Sequence, residues 1–432
     1  MKKAVISRTR ILLLICLSLC SCRQNSLDES DGVAIIDVLN NIGKYQTVPV
    51  SEYVSELEYI ALETNDNCMI GKVNEIYVGY SHIFIYGFNG NQSFCYSFNR
   101  DGKFLGEIGR YGQGPAEYTM IFNMSVDEKE QAIYLSNRGE TILKYSWNGV
   151  FLQSIKKPET SSYLDNIIFL RDSQFIGHVC NGTGQENYNF IIFNDSAEII
   201  KSFYNYIKFE RVATNFNVIS IFSMEPYKVS QNMYLKELSN DTLYCLNEQN
   251  NLIPQFYFDL GKYIYPVHIR QVFDNEDSRN LIGIPKNTNP IIGTPGQIFF
   301  STSAGLNIPK PKGIVRTIPA WGGGTIDIEE NSPVGIYDIG TKRTRLLDTD
   351  PVSRIPGLIN DLDGGLSFWP RYLTSDNELI DFWQSYEMKE YLTEEYFAAH
   401  QIKDPVAHQR LKTLLQDLKE DDNPVIVVAK LK

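Results

Sequence analysis

The stretch EIYVGYSHIFIYGFNGNQSFCYSFNRDGKFLGEIG holds four short apolar runs, each ending on polar or glycine-rich residues. Side chains two apart share one face of a strand, so the runs predict strands at Glu75–Val78, His82–Tyr86, Ser93–Phe98 and Phe104–Ile108. The next stretch, MSVDEKEQAIYLSNRGETILKYSWNGVFLQSI, repeats the order. AIYLSN answers HIFIYG, and Asn148-Gly149 stands where Asp101-Gly102 stood. Asp-Gly and Asn-Gly between such runs predict tight hairpins with positive φ at both turn positions. Four looser copies follow, the last two at GQIFFSTS…PVGIYDIGTKRTRLL and LINDLDGGLSFWPRYLTSDNELIDFW. The spacing of roughly 40 to 50 residues is that of four-stranded propeller blades. No amphipathic helix separates the early strands, which disfavours parallel βαβ units. The predicted fold class is therefore all-β, a six-bladed β-propeller with helical insertions near the C-terminus.

Five glycines crowd DGKFLGEIGRYGQGPAEY, between Asp101 and Tyr118. A phosphate-binding loop needs its glycines to open a helix. Here the following MIFNMSVD reads as another strand, so the glycines serve a sharp passage between blades. Helical spacing occurs in two places. YPVHIRQVFDNEDSRNLIG, with Val267, Ile269, Val272 and Phe273, predicts an insertion after the fourth blade. TEEYFAAHQIKDPVAHQRLKTLLQDLKEDDNP predicts two helices broken near Asp404-Pro405, the second with Leu411, Leu414, Leu415 and Leu418 on one face. That pair is expected to dock on the propeller, and PVIVVAKLK to complete a blade with N-terminal strands. The run PKPKGIVRTIPAWGGGTIDIEE reads as a long, disordered loop on the fifth blade.

MKKAVISRTR followed by ILLLICLSL has the basic and apolar regions of a secretory signal, and the apolar run is too short to span a bilayer. The LCSC that follows resembles the bacterial lipobox, with Leu19 three positions before Cys22 and the small Ser21 directly before it. The resemblance implies cleavage after Ser21 and lipidation of Cys22. The expected organisation is a signal at 1–21, a lipidated N-terminus and tether at 22–45, and the propeller with its helical pair and closing strand at 46–432. A lipid anchor in the outer membrane is then the only membrane attachment, in the cell envelope.

Composition supports the β reading, since aromatic residues, 26 Tyr and 23 Phe among them, favour pleated surfaces. With 40 Lys and Arg against 52 Asp and Glu, a net charge of -12 without basic clusters excludes a nucleic-acid footprint. Cys68, Cys95, Cys180 and Cys245 are expected mainly as buried thiols, with disulfide pairing the alternative in an oxidising compartment.

FNRDGKFLGEIGRYGQGPAEY, the repeat layout, INDLDGGLSFWP and the ending DDNPVIVVAKLK resemble a family of six-bladed β-propeller lipoproteins of Bacteroides-type bacteria, whose blades are similar to NHL repeats. The resemblance implies a fold and a cell-envelope address and assigns no biochemical function.

Motif-level chemistry is sparse. None of His82, His178, His268, His400 and His408 forms a close ligand pair, no GxSxG elbow is present, and His400 and His408 are expected to be solvated on the terminal helices. The one acidic pair is Asp361 and Asp363 in NDLDGGLSFWPRY. As a strand it would present both carboxylates on one face. As a Gly-rich loop it would offer oxygen ligands to calcium, although the full EF-hand pattern is missing. The bland alternative is a tight Asp-Gly turn. Trp369 and Arg371 beside it would suit sugar stacking with hydrogen bonding, and Trp369 fits a core position equally well. Ser196 in Asp195-Ser196-Ala197 and Thr242 in Asp241-Thr242-Leu243 resemble the O-glycosylation signal of the same bacteria. Two functions follow: a non-enzymatic lipoprotein that binds a glycan, peptide or protein partner without a cofactor, and a calcium-dependent hydrolase or lyase on an NHL-like propeller. The first is preferred, because the early blades show no polar positions to match the acidic pair.

Overall fold

The computed structural model describes residues 32–181, 183–210, 225–229, 232–236, 240–263, 291–302, 308–319, 324–330 and 332–432. The strands form the six blades of a β-propeller. The first blade runs Lys72–Val78, His82–Asn89, Gln92–Asn99 and Phe104–Glu107, close to the strands expected from the hydrophobic pattern. The second spans Ile121–Lys156 and the third Leu164–Tyr204 in the same antiparallel order. The fourth and fifth blades are joined through one parallel bridge, Val229 to Gly293, between their first strands.

Why the central strands read as unbroken apolar runs is visible from what each face meets. Ile83 and Ile85 pack toward the sixth blade with Ile60, Ile380 and Ile426. Phe84 and Tyr86, one residue out of phase, pack toward the second blade with Ile121, Met124 and Leu135. The period-two alternation is therefore intact, but both faces are apolar because each blade is sandwiched between two others. Six such clusters among the described residues each fill one gap between neighbouring blades. A side chain as buried as Phe84, 0% exposed, contributes roughly 1.5–3 kcal/mol by leaving water.

The turn between third and fourth strands recurs with one hydrogen-bond pattern. In the first blade Asn99 N donates to Lys103 O (2.9 Å) and Gly102 N donates to Asn99 O (3.0 Å). The same pair of bonds closes Ser146–Val150, Asn194–Glu198 and Asn247–Asn251. Its fourth residue is left-handed each time: Gly102 (φ +80°), Gly149 (+77°), Ala197 (+62°) and Asn250 (+58°). Asp101 and Asn148 are not left-handed. The expected two-residue turns are thus replaced by longer ones with a single left-handed position. In the first blade only glycine fits, because a Cβ on Gly102 would lie 2.1 Å from Ala61 O of the sixth blade.

The sixth blade closes the ring with strands from both parts of the chain. Tyr372–Leu373, Leu379–Trp383 and Val425–Leu431 come from one side, and Val54–Ala61 pairs with Val425–Leu431 as the outer strand. Upstream of it, Ala34–Asp37 is already a strand, parallel to Leu252–Asp259 on the fourth blade. Part of the stretch expected as tether, 22–45, is therefore structural. It continues past the fifth blade, where Gln46 N donates to Leu346 O (3.0 Å), to the segment between the fifth and sixth blades, where Val50 N donates to Ile359 O (2.7 Å). This strap ties the outer edges of the fourth and fifth blades to the outer strand of the sixth.

Three helices follow the second strand of the sixth blade: α1 (Ser385–Tyr391), α2 (Glu394–Ala399) and α3 (Pro405–Asp417). Asp404 caps α3, accepting from Val406 N and Ala407 N at 3.0 Å each, which explains the break expected there. Leu411 is buried in the core between blades five and six, with Leu414 and Leu415 packed against it. Helix α1 was not foreseen. Within the run expected as a disordered loop on the fifth blade, Ile314–Pro319 pairs with Thr325–Glu330 as an antiparallel hairpin, which corrects the expectation for those residues, while 320–323 lie outside the described residues. The helix expected at 265–283 lies outside the described residues. Cys68, Cys95, Cys180 and Cys245 are free thiols.

Candidate ligand site between the sixth blade and the terminal helices

Asp361 and Asp363 lie in a turn, and their carboxylates serve different partners. Asp361 accepts from Ser51 N (2.9 Å) and Ser51 Oγ (2.6 Å) of the strap and pairs with Lys403 Nζ (2.7 Å) just before α3. Burial pushes its carboxyl up, but Lys403 and Ser51 outweigh burial and hold it below the ordinary aspartate value. Asp363 accepts from Tyr59 Oη (3.1 Å), Asn360 Nδ2 (2.7 Å) and Gly365 N (2.8 Å), and burial pushes it upward. Neither the shared strand face nor a shared cation cradle is what these contacts build. No group of three or more His, Cys, Asp or Glu among the described residues is placed to hold a metal ion.

The two histidines expected in solvent are also structural. His400 Nε2 lies 2.6 Å from Asp350 Oδ2, its Nδ1 lies 2.7 Å from Tyr396 O, and its ring stacks on Tyr396 at 4.0 Å. Its side chain is 3% exposed. Both nitrogens face oxygen acceptors, so the pair is fully satisfied when the imidazole carries both protons and Asp350 is ionised. Burial lowers the His400 pKa, but the bond to Asp350 wins and the value is raised. Asp350, which also accepts from Val352 N (2.8 Å) and Ser353 N (2.7 Å), is held below the ordinary aspartate range despite its burial. His408 is half-buried, with Nδ1 2.7 Å from Asp363 O.

Trp369 and Arg371 belong to a different feature. They enter the sixth blade just before its first strand, while Asp381 and Trp383 lie on the second strand, which runs directly into α1. Asp381 organises the approach: its Oδ2 accepts from Trp369 N (3.1 Å), and its Oδ1 accepts from Phe382 N (2.9 Å) and sits 2.8 Å from Arg371 Nε. Full burial still pushes the Asp381 carboxyl above the ordinary value, with Arg371 opposing. The Arg371 guanidinium lies over Phe382 at 4.6 Å. At the start of α1, Gln384 and Glu387 form a reciprocal capping box.

These elements enclose a cavity of about 320 Å³, walled by Trp369, Arg371, Asp381, Trp383, Gln384 and Tyr391. Ile314 of the fifth-blade hairpin closes another side. Trp369 is 4% exposed and packs in the core between blades five and six, so of its two expected places, stacking platform or core position, it takes the second, set edge-on to Phe299 at 5.7 Å. Its indole Nε1 is buried without a hydrogen-bond partner. The Arg371 side chain is 30% exposed and marks the mouth. Asp381, Trp383, Gln384 and Tyr391 were missed by sequence reading. The signal was Asp381 itself, a carboxylate inside the apolar run LIDFW.

Ser196 is exposed at the third position of the Asn194–Glu198 turn, whereas Thr242 is half-buried at the head of a strand, paired with Tyr257. On the first strands, Asp165 pairs with buried His178 (2.8 Å) and Glu75 accepts from Met124 N of the next blade (3.3 Å), so both acids tie structure together. Cys22 lies outside the described residues. No described helix is long and apolar enough to cross a membrane, which says nothing of β-barrels.

The family model described as "Domain of unknown function (DUF4934)" matches residues 33–430. The comparison with curated proteins finds no match. Among solved structures, a Bacteroides fragilis protein described as exported is similar at a TM-score of 0.63 with 17% identity, covering 92% of this chain and 99% of that one. At such identity the likeness concerns the fold. A member of the duf4221 family from Bacteroides vulgatus (TM-score 0.39, 9% identity, 67% and 93% covered) and virginiamycin B lyase from Staphylococcus aureus (0.37, 12%, 68% and 89%) are too distant to carry an argument.

Proposed function

Since the chain belongs to the DUF4934 family, whose description assigns no activity, we propose its function from its own geometry: a non-enzymatic cell-envelope lipoprotein whose propeller binds a small ligand. The observation that carries this reading is the cavity between the sixth blade and α1. At about 320 Å³ it falls at the lower end of ligand sites, roughly 300–1,000 Å³, and combines apolar and aromatic walls with a few convergent polar groups. Such a size suits one end of a glycan or peptide rather than the surface of a folded partner. The address rests on the basic and apolar N-terminal segment and the Leu19–Cys22 lipobox, and it agrees with the description of the similar Bacteroides fragilis protein.

Two experiments test the two halves. Cys22→Ser should move the protein from the detergent-extracted membrane fraction to the soluble one, and an unchanged membrane fraction removes the anchor. Thermal scans against soluble oligosaccharides and short peptides should find ligands that raise the Tm, since binding to the folded state alone stabilises it. Ile314→Trp, which fills the cavity from its half-buried hairpin side, should abolish the rise. A rise that survives Ile314→Trp places the ligand elsewhere and removes the cavity.

A further inference from the structure

Exposed apolar side chains are spread unevenly around the rim of the ring. The outer strand of the first blade, Phe104–Glu107, shows Leu105 alone at 50% exposure. The outer strand of the third, Ile199–Tyr204, shows Ile199 (46%), Ile200 (47%) and Tyr204 (53%). Tyr206, just beyond it, is 85% exposed, and its ring sits 5.0 Å from that of Tyr204. Beside this edge, Ala34–Asp37 adds a fifth strand to the fourth blade. Ala34 and Ile36 pack into the gap toward the fifth blade. By alternation Ile35 turns the other way, toward the third blade, and is 59% exposed, with Val33 upstream of it at 42%.

The two outer edges form one shoulder. Phe203 of the third blade and Leu252 of the fourth pack against the same core cluster, and Lys201 Nζ donates to Asn251 Oδ1 at 2.6 Å. Both edges follow the same turn, Asn194–Glu198 and Asn247–Asn251. Counting from those turns sets Tyr204 level with Tyr257, which is the strand partner of Ile35.

The N-terminus identifies what covers this shoulder. Cys22 lies ten residues before Gly32, where the described chain begins, at the fourth blade. Ten residues reach at most about 36 Å. A compact chain of this length has a radius of gyration of about 22 Å, so the first blade, across the ring, lies beyond easy reach of the same anchor. An acylated Cys22 thus brings the fourth-blade side to the bilayer. Tyrosine suits that boundary, since its ring enters the interface while its hydroxyl stays hydrated. Lys201 is bonded to Asn251 and Lys208 to Gln185 O (2.9 Å), and a net charge of -12 draws the chain to no anionic headgroup. The contact is apolar.

We infer that the shoulder of Val33, Ile35, Ile200, Tyr204 and Tyr206 rests in the headgroup region of a lipid bilayer, so that anchor and rim together orient the propeller. The inference rests on the lipoprotein reading and is independent of the cavity. A ring lying on its rim leaves both ends of its central axis open to solution.

The test places a polarity-sensitive fluorophore on single introduced cysteines of the full lipidated chain in phosphatidylcholine vesicles, with and without phosphatidylglycerol. The described native cysteines are free thiols, three of them buried, and the parent sets the background. Labels at Ile35→Cys, Ile200→Cys and Tyr206→Cys should be quenched by bromine-labelled lipid and protected from iodide, equally in both vesicles and at high salt. The label at Leu105→Cys, on the opposite rim, should be quenched by iodide and not by the lipid. Ile35→Asp with Tyr204→Asp should return the Tyr206→Cys label to iodide while the protein still floats with the vesicles. The Tm of each variant is compared with the parent, so that unfolding is recognised. If the parent fails to float with vesicles, the anchor reading falls and the inference with it. If it floats while the three labels report water, or while Leu105→Cys reports lipid as strongly, the inference alone falls. Quenching that needs phosphatidylglycerol and vanishes in salt overturns the apolar contact. Labels shielded from both quenchers assign the shoulder to a protein partner or a second copy and overturn the inference.

Discussion

The first blade takes all four of its strands from Lys72–Glu107, whereas the sixth takes three from Tyr372–Leu431 and its outer strand from Val54–Ala61. The first is held by local hairpins and apolar faces. The sixth needs, besides apolar packing, a buried polar framework between distant segments. Ser51 meets Asp361 across 310 positions, Tyr59 meets Asp363 across 304, and Asp350 meets His400 across 50. A local hairpin needs little to set its register. A closure made from remote segments pays a larger loop entropy, and directional buried bonds specify which segments meet. The same difference places the cavity: regular blades stack apolar face to apolar face, while the composite blade must accommodate α1 and the fifth-blade hairpin.

The sharpest way to break this comparison is to remove the closing strand. Deleting Val425–Leu431 leaves Val54–Ala61 and Leu379–Trp383 without their shared partner, exposing two strand edges. Loss of the folded monomer and aggregation on size-exclusion chromatography are expected, and a monomer with an unchanged Tm would refute the closure argument.

A smaller but still large effect is expected at the polar framework. Asp350→Ala takes away the buried acceptor that His400 Nε2, Val352 N and Ser353 N share. Each buried donor left unpaired costs about 1–3 kcal/mol, read together as a shift in the denaturant midpoint.

The regular blades give a contrast within one turn type. Gly102→Ala forces a Cβ onto Ala61 O in a left-handed conformation and should cost roughly 1–3 kcal/mol. Ala197→Gly in the equivalent turn of the third blade relieves a left-handed alanine. It should gain less than about 1 kcal/mol, since glycine's extra unfolded entropy offsets part of the relief. Denaturant melts of both variants check the signs.

The smallest effect is the pH dependence of the His400–Asp350 contact. The His400 pKa is raised above 6.5, so its contribution is full below that pH and is lost as pH rises through the higher folded value. Asp350 is lowered below 3.8, so its contribution is present above that pH and is lost as pH falls through its folded value. The stability difference between the parent and His400→Gln should therefore be largest between these limits and shrink above pH 6.5. A flat difference profile would mean that no proton is held there.

The period-two alternation, the Asn148-Gly149 and Asp101-Gly102 turns and the repeat spacing were enough to determine six blades, because the strands of the early blades are local and their faces are written in neighbouring residues. Leu411, Leu414 and Leu415 likewise announced a docked helix. Asp361 and Asp363 look from the sequence like a pair, since they are two residues apart. Only the tertiary structure sends one to Ser51 and Lys403 and the other to Tyr59, because their partners come from remote segments. His400 carries no local mark of burial, and Asp350 reaches it only once α2 has docked. The cavity is the same case: Trp369, Arg371, Asp381 and Tyr391 share no motif. They converge because a strand, a loop, a helix and a hairpin meet where the ring closes, and distances between such segments are set by packing rather than by spacing along the chain.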